Sequence, residues 1–148
     1  MPAVTVLVQP NAVVPRFPSE ELVLERQFGD EHAMLERVSA LALALPEVVR
    51  ATHGNHADFR VRKKVFAYFL NDHHGDNIIS VCVKSALGEN VDRASAQPDL
   101  YYLPAYIGHR GWFGMRLDRG AVDWREVESI IELSYRLVAP KSLVKQLR

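Results

Sequence analysis

Asp58–Leu70 (DFRVRKKVFAYFL), followed after a short polar stretch by Ile78–Val83 (IISVCV), is the part of the sequence that decides the fold. In its first half Phe59 and Val61 alternate with Arg60 and Arg62. That is the period-two pattern of a strand with one face in water. Val65–Leu70 is nearly all apolar, which predicts a central strand covered at least partly on both faces. Asn71–Asn77 (NDHHGDN) is a cluster of turn formers, and Ile78–Val83 supplies the next strand. Strands this close in sequence join most simply as antiparallel hairpins.

Working upstream, Asp30 reads as a helix N-cap with Glu31 in the first turn, where the helix dipole favours a carboxylate. Met34, Val38, Leu41 and Leu45 then make one apolar stripe of period 3.6, which Pro46 ends. Residues 1–28 differ from the rest. Ala3–Val8 (AVTVLV) has the composition of a short strand, and Pro10, Pro15 and Pro18 punctuate a spacer. This segment is expected to be an N-terminal arm, loose or added to the sheet edge, outside a domain spanning 29–148.

Downstream, residues 88–99 can hold one short helix, and Leu100–Leu103 and Trp112–Leu117 read as further strands. The last long helix opens on Asp123 and Glu126, a D-x-x-E variant of the capping box. Its stripe is Trp124, Val127, Ile131, Tyr135 and Val138, and Pro140 stops it. Helix, antiparallel strands, helix: the order predicts an α+β sandwich of two layers.

Eighteen Lys+Arg balance eighteen Asp+Glu over 148 residues, and 48% of residues are apolar. Zero net charge excludes a tail-driven polyanion binder, and the apolar content excludes a disordered chain. One domain is expected at this length. Cys82 is the only cysteine, so no internal disulfide forms, in keeping with a reducing compartment. No apolar run approaches the roughly 18 residues that span a bilayer, and Met1–Gln9 lacks the basic flank of a signal peptide. A cytoplasmic protein with no membrane role is expected.

Four features carry possible chemistry. Arg60, Arg62, Lys63 and Lys64 fall within five residues, and Arg110 and Arg116 sit on or beside the last hairpin. Together they suggest a nucleic-acid surface, with Phe66, Tyr68, Tyr101 or Trp112 available for stacking. The competing reading is a solvated sheet face whose arginines pair with helix acids. His53 and His56, and the run Asp72–Asp76 (DHHGD), would offer metal-type ligands if their loops met. Solvent-exposed turn formers are the plainer reading. Cys82, between Val81 and Val83, reads as a buried inert thiol. In Gly108–Trp112 (GHRGW) the glycines either admit a ligand close to the backbone or shape a turn over a buried Trp112. Phosphate-loop, hydrolase-elbow and metalloprotease motifs are absent, and no cofactor is expected.

Asp58–Leu70, DHHGD at 72–76, VCVK at 81–84, YIGHRGW at 106–112 and the closing VDW…SYRLVAPKSL at 122–143 together resemble the MmcQ/YjbR family. The resemblance covers about residues 30–147 and implies a CyaY-like (frataxin-like) fold, a curved antiparallel sheet packed against helices. It also implies a DNA-binding-like protein whose paired-strand wings make the contact, with no catalytic residues to carry over. Where much of the family has glycine before the lysine of the second strand, this chain has Arg62 and Lys63, which puts a glycine-type backbone there in doubt. The expectation is a non-enzymatic binding protein contacting DNA through Arg60, Arg62, Lys63, Lys64, Arg110 and Arg116. The alternative is a protein-partner or small-ligand module, dimeric in one version, with no nucleic-acid role.

Overall fold

The computed structural model describes residues 20–147, with side chains from Glu31 onward. The unit that begins at Glu31 carries the whole sheet. The strand expected at Ala3–Val8 and the arm up to residue 19 lie outside the described residues.

Helix α1 (Glu20–Leu43) is followed by β1 (Val48–His53), β2 (His56–Val61), β3 (Lys64–Asn71) and β4 (Ile79–Lys84). Helix α2 (Glu89–Ala96), the two-residue strand β5 (Tyr101–Tyr102), β6 (Trp112–Arg116), α3 (Trp124–Val138) and α4 (Lys141–Val144) complete the chain. The six strands form one antiparallel sheet in the order β1-β2-β3-β4-β6-β5. It is an open, curved α+β sheet packed against helices, as the sequence predicts.

Two boundaries differ from expectation. The helix does not start at Asp30 but runs through it from Glu20, because Glu20–Phe28 is rich in helix formers and outweighs the cost of Gly29, about 1 kcal/mol. Strand β1 was not expected. Its signal is the Gly54–Asn55 pair, which joins His53 to His56 as a two-residue hairpin with Gly54 at φ 59°.

One face of the sheet meets the helices. Phe59, Val61, Phe66, Phe69, Val81, Val83, Phe113 and Met115 pack there against Val38 and Ala42 of α1 and Val127, Ile130, Ile131 and Tyr135 of α3. The apolar run 65–70 does not alternate cleanly because β3 carries a bulge. Phe59 pairs with Ala67 but Arg60 pairs with Val65, so Phe66 is the extra residue. Both Phe66 and Ala67 end up in the core.

The bulge frees the Phe66 carbonyl, and α3 supplies its partner. Ser134 Oγ donates to that carbonyl at 2.6 Å and accepts the Lys84 N–H at 2.9 Å. One buried hydroxyl thus ties α3 to both β3 and β4. Tyr135 stacks edge-on against Phe66 and donates to the Pro46 carbonyl at 2.8 Å, fixing the α1–β1 connection to the same helix. Asp123 caps α3 by accepting from Arg125 N–H and Glu126 N–H. The box is only half made, since the Glu126 carboxylate binds Tyr101 and Arg93 instead of returning to the cap.

Ser134→Ala orphans the Phe66 carbonyl and the Lys84 N–H together. It should lower unfolding stability by about 1–3 kcal/mol, read as a reduced denaturation midpoint at unchanged slope. An unchanged midpoint would show that the clamp does not hold the layers.

Candidate functional site

The sheet's second face is only partly covered. Leu70, Cys82 and Trp112 are buried there beneath Val65, Tyr68, Tyr102 and Ile107. The connection from β5 to β6 arches over them and is pinned in three places. Asn90 of α2 donates from Nδ2 to the Gly108 and Trp112 carbonyls at 2.7 and 3.0 Å. Gly111, at φ 95°, lies so close to the Ser85 carbonyl that a Cβ would sit 2.3 Å from it. Gly114 receives the Tyr102 ring, whose Cε1 would stand 2.4 Å from an added Cβ. The glycines around His109 and Arg110 therefore serve close backbone packing, and Trp112 is core, tilted against Tyr68 at 5.3 Å.

Beside this cover the face opens into a cleft of about 450 Å³. The β1–β2 hairpin contributes His53, His56 and Asp58, and β3 contributes Tyr68 and Leu70. The turn after β3 adds His73, His74 and Asp76, and Tyr102 and residues 104–107 close the far side. The two histidine loops singled out in the sequence do meet. His56 and His73 ring centroids lie 5.2 Å apart, His73 and His74 3.9 Å, and His74 faces Tyr106 at 5.9 Å. Among the described residues no group of three His, Cys, Asp or Glu side chains is arranged to hold a metal ion.

The lips of the cleft hold an unusual backbone. Of seven non-glycine residues with positive φ among those described, Asp72, His74 and Asn77 lie in the 72–77 turn, and Tyr106 lies opposite. Each such residue costs of order 1 kcal/mol, and such costs concentrate at binding and catalytic sites. Tyr106 is also 80% exposed, the most exposed large apolar side chain described. Sequence reasoning passed over it, because a lone tyrosine beside Pro104 carries no signal until the opposite loop is placed.

The lining carboxylates are already engaged. Asp58 accepts from Arg60 and contacts His53 Nε2 at 3.2 Å, and the Arg60 hydrogen bond holds its carboxyl below the usual range. Asp76 accepts the Ile78 N–H, and Asp72 accepts the Asn77 N–H. His56 Nδ1 accepts the Asn71 N–H at 3.1 Å, so the neutral ring carries its proton on Nε2.

The fold has relatives. A family model described as YjbR matches residues 43–137, more than half of the chain. The chain belongs to the YjbR family. The crystal structure of the Deinococcus radiodurans protein DR2400, a DUF419 family-model domain, aligns at a TM-score of 0.59. That alignment has 18% identity and covers 76% of this chain and 86% of that one. A search of curated proteins finds no match.

In this YjbR chain the six cations expected to share a surface are divided. Arg60 is bound to Asp58, Arg62 makes a two-pronged pair with Glu47 at 2.6 and 2.9 Å, and Arg116 does the same with Asp118 at 3.0 and 3.1 Å. Arg62 does not share the strand face of Arg60 but sits in the hairpin turn at φ 49°, followed by Lys63 at φ 70°. The turn keeps the glycine-type backbone although neither residue is glycine. Register places Lys64, Lys84 and Trp112 at one end of the sheet and Asn71, Ile79 and Arg116 at the other. Lys63, Lys64 and Arg110 have no ion pair among the described residues. Of the expected stacking aromatics, Phe66, Tyr101 and Trp112 are buried and Tyr68 is half-buried. The three buried rings face inward because the bulge, the Glu126 hydrogen bond and the β5–β6 cover each draw one of them in.

Cys82 is fully buried on this face beside the Tyr102 and Ser80 hydroxyls, and burial pushes its thiol up to about 11. It should react with a thiol reagent only as fast as the protein unfolds. Gly114→Ala displaces the Tyr102 ring and should speed native-state labelling several-fold, whereas equal rates in the two proteins would show that the Tyr102 ring does not shield Cys82.

Proposed function

We propose that this YjbR chain is a small-ligand binding module whose site is the cleft between the histidine loops and residues 104–107. The observation that carries the reading is the cleft itself. It has a size typical of ligand sites, an apolar floor at Leu70 and Tyr68, and convergent imidazoles at its lips. The positive-φ residues at those lips support it, since such backbone is common at binding sites. A binding role suits the site better than catalysis. Asp58 is saturated by Arg60 and His53, and His56 Nδ1 is committed to a backbone N–H, so the obvious acid–base groups are engaged by the protein itself. Ala105 is exposed and lines the mouth, so Ala105→Trp should fill the entrance with stability unchanged. Saturation-transfer NMR with a set of small aromatic compounds should give hits on the native protein that Ala105→Trp abolishes. Hits that survive the substitution, or no hits at all, would contradict the proposal.

A second reading, DNA contact, is favoured by one observation. Lys63 is held at a hairpin tip in a left-handed backbone that glycine would adopt without strain, next to Lys64. A cation kept there at such a cost suits phosphate contact. Lys63→Gly should then raise stability by up to about 1 kcal/mol while weakening low-salt binding to duplex DNA. Absence of any salt-dependent DNA binding by the native protein would remove this reading.

A further inference from the structure

Resting on the cleft reading, we infer that the ligand is a flat apolar acid: an aromatic body over Tyr68 and Leu70, with its carboxylate among the imidazoles of His56, His73 and His74. The polar groups left available decide this. Asp58 is paired with Arg60 and in hydrogen-bond contact with His53, and Asp72 and Asp76 accept backbone N–H groups of their own turn. His56 presents an Nε2–H donor, because its Nδ1 is occupied by the Asn71 N–H. His73 lies between His56 and His74, 5.2 and 3.9 Å away by ring centroid. The cleft therefore offers a ligand ring faces and imidazole N–H groups, which complement an acceptor with negative charge.

The crowding of imidazoles gives the site a pH signature. Burial first, and then the neighbouring His74 and His56, hold His73 below its ordinary value of 6.5 against the opposing pull of Asp76, so His73 resists protonation in the free cleft. A carboxylate placed among the three rings reverses that balance and draws a proton onto His73. The acid form of the protein is then the tighter binder. The surrounding charged and titratable groups do not reproduce this behaviour. Arg60 and Arg116 are paired with Asp58 and Asp118, burial raises the Tyr68 and Tyr102 hydroxyls above their ordinary range, and Asp76, which favours a proton on His73, already accepts the Ile78 N–H. His53 is turned to Asp58.

Calorimetric titration of the full chain with naphthoate, naphthamide and naphthylmethylamine, each at about pH 5.5 and about pH 7.5, tests the inference. Naphthoate should bind roughly tenfold tighter at the lower pH, with uptake of about one proton when buffers of different ionisation heat are compared. Naphthamide should bind more weakly and without pH dependence. His73→Phe should flatten the naphthoate profile while retaining naphthamide binding. The proton count on the native protein stands even if that variant does not fold. Naphthoate binding that is independent of pH, or an amine that binds tightest, would overturn the acid assignment and leave the cleft reading intact. Failure of all three compounds to bind would remove both.

Discussion

The hydroxyl of Ser134, donating to the carbonyl that the β3 bulge leaves unpaired and accepting an N–H from β4, is the contact on which the arrangement depends. A bulge at Phe66 turns an otherwise alternating strand so that two successive side chains enter the core. Left alone it would bury a carbonyl without a partner, a cost comparable to several core methylenes. Placing α3 across β3 and β4 at that point answers the need. Among the described residues no buried side-chain nitrogen or oxygen lacks a hydrogen-bond partner.

Committing α1 and α3 to one face of the sheet leaves the other to a loop. The β5–β6 connection covers Cys82 and Trp112, held by Asn90, by the close approach of Gly111 to Ser85 and by the Tyr102–Ser80 hydrogen bond at 2.7 Å. It stops short of the 72–77 turn, and the remaining gap is the cleft. The site is thus a consequence of topology. It lies where a short cover meets a turn whose backbone conformation is set by Asp72 and Asp76.

Much of this was legible in the chain. Alternation at Phe59 and Val61 located β2, and the stripes of α1 and α3 marked the helix faces that the core uses. The Asp123 cap and the turn at 71–77 were also readable, because these signals are local. The bulge was not legible, since a run such as VFAYFL reads identically with or without an extra residue. The fate of the cations was equally hidden. Arg60, Arg62 and Arg116 look like one basic set in sequence, yet their partners are Asp58, Glu47 and Asp118, and only pairing geometry reveals it. Neutral net charge proves to be neutral locally as well at these three positions. The two histidine motifs were visible as separate turns, and their meeting depended on β1, whose Gly54–Asn55 signal is short.

The central claim is one of location: ligand enters the outer face of the sheet between the histidine loops and Tyr106. Amide chemical-shift mapping during titration with naphthoate tests it most directly. The account predicts that the largest changes fall at residues 53–58, 68–76 and 102–107. Changes centred instead on Lys63, Lys64 and Arg110 would contradict it.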